Sequence, residues 1–247
     1  MDDQIEIHES LILAGGFGTR LQSVVSDIPK PMAIIDDKPF LEYLLLYLYR
    51  QGCRHCVLSV GYKHEQIIDY FGDRFLTIKL DYAIEDNPLG TGGGIKNGLH
   101  FLERENFFLL NGDSLFNVDL KELAQYHFQN NADVTLSLKR MIQAERYGTV
   151  EIENGRVLRF NEKKFVDNGL INGGVYVASK KIFNNPALGK KFSFEKNVLE
   201  ENIKECPIFA LIFDNYFIDI GVPEDYNKAK KELIILFNKD NIQNVEE

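Results

Sequence analysis

The sequence predicts an α/β fold: a mixed, mainly parallel sheet with helices on both faces, in a single domain. Three observations predict it. Short apolar runs alternate with helical patterns through the first half of the chain, the signature of β-α-β units. Those runs are apolar at nearly every position, as strands covered on both faces are. Beyond about residue 130 strands follow one another with few helices between them, which extends the same sheet. A chain of 247 residues, 45% hydrophobic and 26% charged, is long enough to bury a substantial core.

Residues 10–14 (SLILA) form the first buried strand, which empties into a glycine cluster. Residues 39–51 are a helix that Gly52 stops, and 56–60 a strand. Residues 63–71 are a helix, with Ile67, Ile68 and Phe71 at helical spacing, and 78–84 a strand. Residues 93–104 read as a helix and 107–110 (FFLL) as a buried strand. A helix over 120–129 precedes strands over 133–139, 148–152, 157–160 and 170–177. Ser193 opens a further helix as its N-cap. Residues 207–213 and 216–218 are late strands, and Pro223 starts the last helix in its first turn. The domain is expected to span 1–247, with its core over about 10–235 and tails over about 1–8 and 239–247, the last of them frayed. Open sheets bind ligands beyond the carboxyl ends of their strands, so functional residues are expected just after the apolar runs.

Lys plus Arg is 28 against 37 Asp plus Glu, a net charge of −9. That argues against general nucleic-acid or anionic-membrane binding. No apolar run reaches the roughly 18 residues of a membrane span, and the acidic, polar first ten residues do not read as a secretory leader. Three cysteines make no disulfide framework, and the chain is expected to be reduced and cytoplasmic. Cys53-x-x-Cys56 reads as two core-facing thiols, and the five histidines show no metal spacing. A phosphorylated metabolite still suits an acidic chain if a few cations are focused in one cleft, with Mg²⁺ as companion.

The segment Leu11-Ile-Leu-Ala-Gly-Gly-Phe-Gly-Thr-Arg20-Leu is the most informative. Gly15, Gly16 and Gly18 let backbone N–H groups approach a phosphate. It is not the dinucleotide fingerprint, because Leu21 stands at the third glycine position, nor a P-loop, because no Gly-Lys-Ser/Thr follows. Ten residues after Arg20, Lys30 lies in Pro29-Lys30-Pro31-Met32, stiffened on both sides. A glycine loop with two placed cations suits a triphosphate. Asn111-Gly112-Asp113 follows the FFLL strand, and Phe217-Ile218-Asp219-Ile220-Gly221 ends a late one. Each aspartate alone is commonly a turn residue; together they suit one octahedral ion shared with phosphates.

The string GGxGTRL with a later PKPM resembles the signature of the sugar-1-phosphate nucleotidyltransferases, also called nucleotide-sugar pyrophosphorylases. The resemblance covers roughly residues 10–235 and implies a Rossmann-like sheet of the nucleotide-diphospho-sugar transferase type. It implies that NTP and a sugar 1-phosphate give NDP-sugar and pyrophosphate, with Mg²⁺ on Asp113 and Asp219. Leu13, Ala14, Gly15, Gly16, Gly18, Thr19 and Arg20 would then hold the nucleotide. Arg20 would neutralise the leaving pyrophosphate, and Lys30 would sit by the α-phosphoryl oxygens. Phe160-Asn-Glu162-Lys163-Lys164 is similar to the family's Glu-Lys-Pro element, with Lys164 where proline is common. It implies that Lys163 holds the sugar phosphate and Glu162 bonds sugar hydroxyls. Tyr147-Gly148 and Asn172-Gly173-Gly174 match places that line the sugar pocket.

The loop from Glu85 to Gly94, with Gly90 and Thr91, matches the family's base-reading loop. Glu85 stands where thymidylyl and uridylyl members commonly carry glutamine. A carboxylate presents only acceptors and can pair the N1–H and N2 amine of guanine, whereas uracil and thymine present acceptor–donor–acceptor. This points to GTP. The strings DIPKPMA, PLGTGGGIK, RYGTV, LINGGVYV, KFSFEKNVLE and YFIDIGVPEDY resemble the guanylyltransferases that act on a heptose 1-phosphate for bacterial surface polysaccharide. Mannose 1-phosphate guanylyl transfer is the nearest alternative, and uridylyl or thymidylyl transfer to another hexose 1-phosphate a further one. A similar-sheet glycosyltransferase would show Asp-x-Asp where Asn111-Gly112-Asp113 stands, and a non-catalytic subunit would lose the cations or acids kept here. No fused β-helical acetyltransferase is expected after the catalytic region. Oligomeric state is left open, a homodimer included.

Overall fold

The structure, a computed structural model, describes residues 6–16, 28–142, 146–163 and 165–243. In chain order the strands and helices are β1 Glu9–Leu13, β2 Ile34–Ile35, β3 Lys38–Pro39, α1 Phe40–Arg50, β4 His55–Val60, α2 His64–Phe71, β5 Arg74–Phe75, β6 Ile78–Ile84, α3 Gly90–Gly98, β7 Asn106–Asn111, β8 Ser114–Phe116, α4 Leu120–Gln129, β9 Val134–Ile142, β10 Thr149–Glu153, β11 Arg156–Asn161, β12 Asn168–Ser179, β13 Ile208–Phe213, β14 Phe217–Asp219 and α5 Pro223–Gln243. Ten strands form one mixed sheet in the order β10-β11-β13-β9-β12-β7-β1-β4-β6-β5. β1, β4, β6 and β7 run parallel, β12 is antiparallel to both β7 and β9, and β13 is parallel to β9.

Each face of the sheet is covered, which explains the uninterrupted apolar runs. Along β1, Ile12 enters one core and Leu11 the other; Leu58 and Val57 divide likewise on β4. The first core takes α1, α2, α4 and α5 through Leu44, Ile67, Leu123 and Leu233. The second takes α3 through Ile95 and a π-helical turn, Phe194–Glu200, through Val198 and Leu199. Asp119 caps α4, accepting from the N–H groups of Lys121 and Glu122, and Ser193 caps the π turn by accepting from Lys196.

The short strands β2, β3, β5 and β8 were not expected from the sequence, and other elements differ from the expectation. The helix expected over 93–104 runs from Gly90 to Gly98 and closes in a 3-10 turn, Leu99–Phe101. Four glycines in its first five residues carry little helix propensity, but the Phe192 ring lies 2.3 Å from where a Gly92 Cβ would stand. Close packing there outweighs propensity. The element after Ser193 has the wider π pitch. The segment taken as a frayed tail from 239 is helical through Gln243, and at the other end Ile7 is already buried. Both Cys53 and Cys56 are buried and unbridged, as expected of core thiols.

Candidate active site

The strand order reverses at β1, which has β4 on one side and β7 on the other. The loops leaving β1 and β7 diverge there, which opens a crevice at the carboxyl ends. A cleft of about 310 Å³ fills it, lined by Leu13, Gly15, Gly16, Lys30, Glu85, Gly90, Thr91 and Asp113 among others. Ala14 N–H donates to Ser59 O (2.8 Å) and Gly112 N–H to Leu13 O (2.9 Å), so both exit loops are tied to their neighbours. A Cβ on Gly15 would stand 3.3 Å from Glu85 Oε1, whereas Gly16 faces open space. Gly18, Thr19 and Arg20 lie outside the described residues.

Lys30 begins a 3-10 turn, Lys30–Met32, between the buried prolines Pro29 and Pro31. Its side chain is buried, and Nζ donates to Asp113 Oδ2 at 2.5 Å while standing 3.9 Å from Asp219 Oδ1. The two aspartates are 106 residues apart in sequence and meet because β8 and β14 pair antiparallel, Asp219 opposite Ser114. Ile220 N–H donates to Asp113 O (2.9 Å) and Gly221 N–H to Asp219 Oδ1 (2.7 Å). Both carboxylates thus converge on one cationic centre. That convergence fits a shared Mg²⁺, which takes one or two carboxylates and completes its octahedron with water and substrate phosphates. Among the described residues no third acid, histidine or cysteine joins them.

Glu85, expected to read the base, lines the cleft. Its Oε1 accepts from Ser59 Oγ (3.1 Å) and its Oε2 from Leu89 N–H (2.9 Å). Each oxygen has a second acceptor site, so the carboxylate is oriented by the protein and still able to receive a ligand's donors. Gly90 has φ +73°, and its Cβ would stand 2.6 Å from Phe192 O, so only glycine fits there. The Thr91 hydroxyl donates to Glu195 Oε2 (2.7 Å) and accepts from Phe194 N–H (2.9 Å).

A second cavity of about 530 Å³ is lined by Gly148, Glu162, Lys163 and Asn172 together with Asn161, Glu195 and Glu200. A recess of about 60 Å³ joins Lys163 to Tyr147, Asp219 and Gly221, and also to Arg146, whose Nη2 pairs with Asp225 at 2.5 Å. Lys163 therefore links the second cavity to the aspartate pair. Burial, and then the charge of Asp219, push the Tyr147 hydroxyl up to about 12, so it remains a proton donor at neutral pH. Asn172 donates to Tyr176 OH (2.8 Å) and accepts from Gly174 N–H (3.1 Å), so part of its amide is spent inside the fold. Gly173, expected on the sugar wall, packs against the interior of the fold. It is buried, and the Phe116 ring lies 2.2 Å from where its Cβ would be. Its small size makes room for that ring. Lys164 lies outside the described residues.

Glu195, Asn111 and Arg146 line these cavities without having been singled out. Ser193 and the string FSFEK marked the neighbourhood of Glu195, but nothing local indicates which cavity a side chain on a π turn meets.

A protein-family model described as nucleotidyl transferase matches residues 9–234. D-glycero-α-D-manno-heptose 1-phosphate guanylyltransferase of Aneurinibacillus thermoaerophilus is 52% identical, over 91% of this chain and 98% of that protein. Mannose-1-phosphate guanylyltransferase of Mycobacterium tuberculosis is 34% identical, over 92% of this chain and 64% of that protein. The crystal structure of HddC from Yersinia pseudotuberculosis complexed with GMP-PN superposes with a TM-score of 0.83, at 40% identity, covering 92% of this chain and 99% of that one. The glycine-rich exit of β1, the paired aspartates and the family match over nearly the whole chain lead to one conclusion: this protein belongs to the nucleotidyl transferase family.

Proposed function

We propose that the protein transfers GMP from GTP to D-glycero-α-D-manno-heptose 1-phosphate, giving GDP-heptose and pyrophosphate. The carrying observation is the 52% identity over 98% of a relative with that activity. Glu85 supports guanine independently, because an oriented acceptor-only group beside the cleft complements the two donors on guanine's N1–N2 edge.

The acceptor's phosphate monoester is largely dianionic at neutral pH, its second pKa being about 6. No general base is needed, and no covalent enzyme intermediate. One oxygen of the sugar phosphate forms a bond to the α-phosphorus of GTP while the bond from that phosphorus to pyrophosphate breaks in line. Catalysis is positioning plus charge stabilisation. In this scheme Lys30 stands by the α-phosphoryl oxygens, Arg20 balances the departing pyrophosphate, and Lys163 aligns the incoming phosphate. Glu162 and Asn172 receive and supply hydrogen bonds to sugar hydroxyls, with Tyr147 and Gly148 beside them. Asp113 and Asp219 would hold Mg²⁺, which when bound spreads the charge of the nucleotide phosphates. The enzyme acts in the cytoplasm, where its nucleoside triphosphate is made, as one domain over residues 1–247 whose small-molecule partners are GTP and the sugar 1-phosphate.

Incubation with Mg²⁺, each NTP in turn, and heptose, mannose or glucose 1-phosphate tests the assignment. Pyrophosphate release is expected with GTP and the heptose. Release with UTP alone would overturn the guanine assignment. Preference for mannose 1-phosphate would favour the second reading, which the 34% identical mannose enzyme supports.

A further inference from the structure

We infer that Glu195 determines acceptor specificity, its carboxylate receiving a hydrogen bond from a hydroxyl of the sugar 1-phosphate while tying that hydroxyl to the base loop. The inference rests on the proposed guanylyl transfer. Glu195 forms part of both the nucleotide cleft and the second cavity. Its Oε2 is held from the nucleotide side, accepting from Thr91 Oγ1 (2.7 Å) and Ser193 Oγ (2.9 Å). Thr91 is in turn fixed by the Phe194 N–H, and the Phe192 carbonyl accepts from Gly92 N–H at 3.0 Å. The carboxylate is thus oriented before any ligand arrives, which lowers the cost of using it. Oε1 has no hydrogen-bond partner among the described residues, and it is the atom left for the second cavity.

The chemistry of the group selects its ligand. A carboxylate accepts only, so it needs a donor and repels a phosphate. The cations that suit a phosphate, Lys163 in the second cavity and Lys30 in the nucleotide cleft, are there to take the phosphates, and guanine's donors are matched by Glu85. A sugar hydroxyl is the remaining donor. Glutamine substitutes imperfectly: its oxygen can keep the Thr91 and Ser193 bonds, but its nitrogen then faces the ligand and replaces a charged acceptor by a neutral donor. Sites built to bond a hydroxyl discriminate strongly against analogues lacking it.

The full-length protein is assayed with GTP and with the preferred sugar 1-phosphate or its monodeoxy analogues, comparing wild type with Glu195→Gln and Glu195→Ala. In both variants KM for the sugar 1-phosphate is expected to rise about ten-fold or more, the worth of one charge-assisted hydrogen bond, with KM for GTP within two-fold of wild type. The wild type's discrimination against one deoxy analogue is expected to collapse in the variants and to persist for the others. Thr91→Val, which removes the anchor but keeps the carboxylate, should give a smaller rise in the same KM. Unchanged discrimination at every hydroxyl, or a change confined to KM for GTP, overturns the inference. A thermal melt of Glu195→Gln within about 2 °C of wild type shows the fold intact. Wild type that accepts no sugar 1-phosphate at all overturns the underlying reaction, and this inference with it.

Discussion

Lys30 is the best-defined side chain of the candidate site. Two prolines fix its backbone, the fold buries its stem, and two carboxylates hold its amine. Replacing Lys30 by Ala leaves Asp113 and Asp219 facing each other without that cation. We expect kcat to fall by roughly a hundred-fold or more, the usual cost of losing one preorganised charge, and Asp113→Asn and Asp219→Asn to do the same with KM for GTP changing less. Steady-state pyrophosphate release measures both; activity within ten-fold of wild type would remove these residues from the mechanism. Glu85→Gln swaps two acceptors for one acceptor and one donor. kcat/KM for GTP should drop about a hundred-fold and UTP turnover should become measurable.

His127 gives a prediction about pH. Burial, and then the nearby charge of Lys181, lower its pKa from 6.5 to about 4. The folded protein therefore binds fewer protons than the unfolded chain between those values. The neutral imidazole's contribution is fully present above pH 6.5 and is lost as pH falls toward 4. Denaturant unfolding should show stability falling with a slope approaching 1.4 kcal/mol per pH unit in that window. His127→Gln should flatten the slope. An unchanged slope would assign the loss to other groups.

At the scale of elements, α3 shows propensity losing to packing. Gly92→Ala raises helix propensity yet places a methyl group 2.3 Å from the Phe192 ring carbons. A loss of about 1–3 kcal/mol is expected from that overpacking, and Phe192→Leu in the same chain should recover part of it. A stabilised Gly92→Ala would mean the ring moves freely. The elements of regular period were legible: β1, α1, α4 and β6 lie within a residue or two of where apolar spacing placed them. The start of α3 and the π pitch after Ser193 were not, because both depend on Gly92 meeting Phe192 and Thr91 meeting Phe194 across about a hundred residues of chain. β12 is similar. Its register slips between Asn172 and Tyr176, where Gly174 takes φ +76°, and that bulge sets Asn172 on the cavity wall and Gly173 under Phe116.

For the whole molecule, the site depends on a sheet whose order reverses at β1 and on a small ladder, β8 with β14, that closes across it. Lys30 stands between the two aspartates and offsets part of their mutual repulsion within the fold itself. Chelation of divalent cations is expected to abolish turnover while leaving the thermal midpoint unchanged within about 2 °C; unfolding on chelation would make the ion structural rather than catalytic.

The sequence by itself determined the layered α/β architecture, the glycine exit after the first strand, and the residue types available for phosphate, base and ion. Those follow from short-range periodicity and from chemistry carried by single side chains. Only the tertiary structure decided that Asp113 and Asp219 share one point, that Gly173 serves packing, and that Glu195 stands between two cavities. Each depends on strands far apart in the chain being brought into register, and local spacing carries no record of that register.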